Sequence, residues 1–168
     1  GGGGGGRIAI YYDTSTFGGA MQAYGGSGNQ RGGAGTVYLQ PSADPLPQLI
    51  VDNGATALGA PTPVSELSEA RSVAVAGGAD ARVSGLGAIH EDLAVGGAAR
   101  AILTTGAGID GSVTVSGNSW LELSGTNVVQ QSVAVGAGST LSHPAATALD
   151  LTVTGDVTVE AGAAISVD

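Results

Sequence analysis

From Ser72 onward, apolar and polar positions alternate in short bursts that return at a nearly constant interval. Apolar-x-apolar pairs occur at Val73/Val75, Leu93/Val95, Val113/Val115, Val133/Val135 and Val157/Val159, their first members 20, 20, 20 and 24 residues apart. Eight residues after each first member comes a second pair, at Ala81/Val83, Ala101/Leu103, Leu121/Leu123, Leu141/His143 and Ile165/Val167. Four residues before it, from the second unit on, stand Ile89, Ile109, Val129 and Val153. Strict alternation over a few residues marks a strand with one buried face. Three such strands in a unit of about 20 residues predict a β-solenoid, because one coil cannot bury its own apolar face and must stack on its neighbours.

Equivalent positions should then form columns, with Val73, Leu93, Val113, Val133 and Val157 in one and Val75, Val95, Val115, Val135 and Val159 in another. Gly77, Gly97 and Gly117 fall four residues after the anchors, where the chain must turn between the first and second sides and positive φ is needed. The 24-residue step places four extra residues between Leu141 and Val153. Pro144, which cannot donate to a ladder, lies in that window, so a bulged loop is expected there.

The first seventy residues do not keep this register. They read as strands at Arg7–Tyr12, 36–39 and Gln48–Asp52, joined by glycine- and proline-rich turns over 25–33 and 41–47. The opening run Gly1 to Gly6 matches any glycine-loop pattern for phosphate. A dinucleotide fingerprint, however, needs a strand before its glycines and a helix after them. Here a strand pattern follows, and the chain has no lysine for a Gly-Lys-Ser/Thr motif. The glycines are therefore expected to serve architecture, letting backbone pass close to backbone.

Composition agrees with an all-β chain of about one domain. Glycine supplies 31 of 168 residues, against a usual share of about 7%, and so many glycines weaken long helices. Five arginines face fourteen acidic residues for a net charge of −9, which disfavours nucleic acid and anionic membrane, since both require clustered basic side chains. The absence of cysteine excludes disulfides and thiolate metal sites, and no apolar run approaches eighteen residues. The expected fold is all-β: a right-handed parallel β-helix or β-solenoid with coils of about 20 residues over 71–168. A glycine-rich irregular β region over 1–70 packs on or continues it. The repeat pattern is still running at Asp168, so the segment is expected to be one structural unit of a longer repetitive protein.

The order GGGGGGRIAIYY at 1–12, GGAGTVYL at 32–39, LIVDNG at 49–54 and LTVTGDVTVEAGAAISVD at 151–168 resembles glycine-rich repeat units of very large bacterial surface or secreted proteins of adhesin-like, parallel β-helical character. The resemblance implies an extracellular or cell-surface location and a structural or adhesive role. It implies neighbouring repeat units or like chains as partners, with cell-surface glycans as a further class. It carries no catalytic residues.

Candidate chemistry is sparse. His90-Glu91-Asp92 has the residue types of a cation site, but at a coil corner it reads as a solvated cluster. Gly106-Ala107-Gly108-Ile109-Asp110 echoes a calcium β-roll motif that works only in tandem, and it occurs once. His143 stands where other coils have Val83, Leu103 and Leu123, and an early strand end at Pro144 is favoured over an inward imidazole. The outward column of the second side runs Arg82, Ile102, Glu122, Ser142, Ser166, with no acids on adjacent rungs for glycosidase chemistry. On the first side the outward column, Ala74, Ala94, Thr114, Ala134, Thr158, is a flat face of small side chains, expected to be covered by the N-terminal part or by another chain. No catalytic, cofactor-binding or metal-binding residue is assigned, and an enzyme is not expected. The expectation is a scaffold, with a carbohydrate-binding or polysaccharide-degrading β-helix as the alternative.

Overall fold

A computed structural model describes residues 1–55 and 57–167; Asp168, the last residue of the expected pattern, lies outside them. Among the described residues there is no helix. The strands are β1 (Arg7–Tyr12), β2 (Thr36–Pro41), β3 (Gln48–Asp52), β4 (Pro61–Val64) and β5 (Glu69–Ala70). They continue with β6 (Ser72–Ala76), β7 (Asp80–Val83), β8 (Ala88–Ile89), β9 (Leu93–Val95), β10 (Arg100–Leu103) and β11 (Gly108–Ile109). Then come β12 (Val113–Val115), β13 (Trp120–Leu123), β14 (Thr126–Val129) and β15 (Val133–Val135). The last are β16 (Thr140–Ser142), β17 (Asp150–Val153), β18 (Val157–Val159) and β19 (Ala164–Ser166).

Successive strands join three sheets in rotation, so the chain winds as a parallel β-solenoid. One sheet has the order β1-β2-β3-β6-β9-β12-β15-β18, the second β4-β7-β10-β13-β16-β19 and the third β5-β8-β11-β14-β17. Val113 pairs with Leu93 before it and Val133 after it, and Val115 with Val95 and Val135, so the columns stack as the repeat requires. The apolar core between the sheets is built of Ala, Val, Leu and Ile, and Asn127 and His143 are also buried. Each coil buries the side chains its neighbour presents, which is why none could fold singly.

Residues 48–70 form one further coil that the periodicity does not reveal. Gln48 pairs with Ser72, a step of 24 residues, whereas Thr62 pairs with Ala81 and Ala70 with Ile89, steps of 19. The connection from β3 to β4 is five residues longer than in the next coil and lengthens the first corner, while that from β5 to β6 is one residue shorter. Beyond it only the first sheet continues, through antiparallel β2 and then β1, which runs parallel to β2. Tyr38, on the same face as Leu49, closes over the end of the core with Arg7 stacked 5.8 Å from its ring centroid.

The glycine-rich segments form a small bundle beside this extension. Gly2 and Gly5 donate to the carbonyls of Gln30 (2.7 Å) and Gly33 (2.9 Å), and Gly26 donates to Gly3 (2.7 Å). Gly32 and Gly35 donate to Gly26 (3.0 Å) and Ala23 (2.6 Å). Partners recur every third residue, the period of extended polyproline-II-like chains, which have no internal hydrogen bonds and must find them in neighbours. A side chain at Gly5 would strike the backbone of Ala23 and Gly35, whereas one at Gly4 would meet nothing within 4 Å.

The corners follow the glycines. Gly77, Gly97 and Gly117 have φ of 59°, 66° and 65°, and the residue after each, Gly78, Ala98 or Asn118, is also left-handed. The four extra residues of the 24-residue step lie between β16 and β17, in the loop that follows Pro144, and Ala146 turns there with φ 63°.

Candidate functional site

The outward face of the first sheet is not covered by the N-terminal part. That part instead lengthens the sheet by two strands at its end, leaving Ala94, Thr114 and Thr158 exposed and Ala74 and Ala134 half-buried. Strand edges seek hydrogen-bond partners more strongly than a flat face of methyl groups seeks cover, so β2 and β1 follow the ladder rather than the face.

His90 does not gather Glu91 and Asp92 into a cation site. Its ring reaches to the coils on either side, with Nε2 3.5 Å from the Glu69 carboxylate and Nδ1 3.1 Å from that of Asp110. The motif 106–110 thereby has its aspartate occupied by an imidazole. Asp92 accepts from the Ser112 amide at 2.8 Å, tying its corner to the next coil. Among the described residues, no three His, Cys, Asp or Glu side chains are arranged to hold a metal ion.

At His143 both expected outcomes occur together. β16 ends at Ser142, yet the imidazole is still buried, 5% exposed. Its Nδ1 lies 2.6 Å from the Pro144 carbonyl and 3.0 Å from Thr147 Oγ1, while Nε2 is buried with no partner among the described residues. The strand stops where expected, and the ring is nonetheless enclosed. The unpaired Nε2 is the cost of putting an imidazole where other coils place an aliphatic side chain.

The outward column of the second sheet follows the expected order, with Glu122 standing between Ile102 and Ser142, so no carboxylates stack there. Beside it runs a second column, Pro61, Asp80, Arg100, Trp120, Thr140, which sequence reasoning passed over. Arg100 lies over the Trp120 indole at 5.9 Å from the ring centroid, and its Nη2 is 3.6 Å from the Glu122 carboxylate. Its Nε is buried with no partner among the described residues, as is Oδ1 of Asp80 on the preceding rung. Leu58, on the lengthened loop of the first coil, lines with Ala98, Ala99, Arg100, Asn118 and Trp120 an open groove of about 330 Å³. This is the candidate site: an indole, aliphatic side chains, one guanidinium paired with one carboxylate, and a side-chain amide. A single outward tryptophan, in a chain whose core uses no aromatic residue, was the signal in the sequence.

A second polar pair sits near the glycine bundle, where the Tyr24 hydroxyl donates to Asp52 at 3.4 Å. The adjacent Asp52 carboxylate, aided by desolvation and the hydrogen bond, raises the phenol above its ordinary value of 10.0. Tyr38 is also raised, chiefly by burial and then by Tyr11, with Arg7 opposing.

Comparison of the chain with protein-family models, with curated proteins and with solved structures found no match.

Proposed function

We propose that this chain is a structural, adhesive scaffold segment of a large exported bacterial surface protein and performs no catalysis. The observation that carries the reading is where the polar side chains of the coils are spent. Asp92, Ser112, Ser119, Asn127, Ser139 and Thr154 all bond to a neighbouring coil. Together with the continuous aliphatic core, these bonds support a role as a stiff spacer, since each coil is fixed to the next by its ladder and by its corners.

Two measurements test the proposal. An antibody to the chain should label intact cells of the source bacterium, and absence of labelling would remove the surface location. The purified chain should release no reducing sugar from a polysaccharide panel; release would replace the scaffold with a polysaccharide-cleaving β-helix.

A further inference from the structure

We propose that two copies of this chain associate through β1, the two strands pairing antiparallel about a two-fold axis at Ala9 so that the first sheets of both copies become one. The inference does not rest on the scaffold reading, since a rigid spacer needs no partner along this edge.

The hydrogen bonds of β1 leave one side of the strand open. Gly6 accepts from the Thr36 amide at 3.2 Å and Tyr12 from the Ser42 amide at 2.7 Å, so the even-numbered residues of β1 turn their backbone groups toward β2. Arg7, Ala9 and Tyr11 therefore turn theirs away. All three are exposed, β1 is the last strand of its sheet, and among the described residues no other strand pairs with that side.

The second sheet closes its corresponding edge in a way that β1 does not. Val64 accepts from the Ser84 amide at 2.8 Å, so the even-numbered residues of β4 face β7 and the outward positions are Pro61 and Pro63, which have no N–H to offer. The outward positions of β1 keep their donors, in a run of β-branched and aromatic residues without proline. That composition leaves the edge competent to pair.

The order of residues in β1 selects a second copy as the occupant. A two-fold contact uses the same patch on both copies, which for two strand edges means antiparallel pairing. With Ala9 opposite Ala9, the smallest side chain of the strand meets itself on the axis, and Ile8 falls opposite Ile10. Arg7, held in its own copy by Glu66 at 3.2 Å and by the Tyr38 ring, falls opposite the uncharged Tyr11 rather than its like. Each outward residue then exchanges both backbone hydrogen bonds with an outward residue of the other strand. In no other register do all three find such partners within β1. Each copy bears −9, yet Arg7 is the one charged residue of β1, so two like-charged chains meet where no carboxylate opposes another along the strand.

Sedimentation equilibrium of the 168-residue chain should show a monomer–dimer equilibrium with a Kd of about 1–100 μM. Under dimerising conditions the Ala9 and Tyr11 amides should gain protection from hydrogen exchange by NMR, while the Ile10 amide, already turned toward β2, should not. Ala9→Pro removes the donor at the axis while the β2 ladder does not use it, so it should weaken the dimer at least about tenfold with unchanged circular dichroism. Tyr11→Arg places a second cation opposite Arg7 and should associate several-fold more weakly than Tyr11→Glu, although repulsion between the whole acidic chains would order the two variants the other way. The proposal is overturned if the wild type stays monomeric up to about 1 mM, if Ala9→Pro associates as tightly as wild type, or if Tyr11→Glu is the weaker of the Tyr11 pair. The Tyr11 comparison stands even if Ala9→Pro fails to fold.

Discussion

The hydroxyl of Ser119 accepts a hydrogen bond from the backbone N–H of Ala99, one coil earlier, at 3.2 Å, and Ser139 does the same for the N–H of Ser119 at the same distance. The pairing compensates for a difference among corners. Ala79, Ser139 and Ala163 donate back to the carbonyls of Ala76, Gly136 and Glu160 within their own turns, each at 3.0 Å. At Ala99 and Ser119 the acceptor is instead the serine hydroxyl of the following coil.

Ser119→Ala should therefore strand a buried N–H and cost about 1–3 kcal/mol. Ala163→Ser, at the same corner position of the last coil, should change stability by less than about 0.5 kcal/mol. Urea unfolding of the two variants checks this; equal effects would contradict the corner argument.

In the core, Val115 is fully buried between Val95 and Val135, and the adjacent Thr114 is exposed. Val115→Asp should destabilise by more than about 3 kcal/mol, because a buried carboxylate has no partner there. Thr114→Asp should stay within about 0.5 kcal/mol. Thermal melts that moved together would place inside and outside wrongly.

The glycine bundle makes a prediction residue by residue. Gly5→Ala and Gly35→Ala put a methyl group into backbone, so both should release the bundle and abolish exchange protection of the Gly35 amide. Gly4→Ala, with open space around its Cβ, should leave that protection intact. Hydrogen exchange followed by mass spectrometry distinguishes the two.

Alkaline pH acts on the Tyr24–Asp52 pair. A phenol whose folded value is raised holds its proton more tightly in the folded state. Its contribution to stability is complete below the ordinary value of about 10 and is lost as pH rises through the folded value. Asp52→Asn keeps an oxygen for the Gly54 amide, 2.8 Å away in the wild type, and removes the charge. The Tyr24 ring resonances should then titrate at lower pH than in the wild type, and an unchanged midpoint would deny the role of the carboxylate.

The 20-residue columns, the left-handed corners at Gly77, Gly97 and Gly117 and the position of the loop after Pro144 were legible in the chain itself. Each is a local or strictly periodic demand: alternation records which side of a strand is buried, and a glycine or proline records what the backbone must or cannot do at one point. The coil over 48–70 escaped notice because its long first corner and the one-residue-shorter connection into β6 displace the pattern while leaving the stacking intact. Which of the six opening glycines matter, why Ser119 and Ser139 lie at buried corners and which residues line the groove at Trp120 depended on the tertiary structure. Those answers turn on which backbone stands a few ångströms away, and stacking decides that between residues of unrelated sequence spacing.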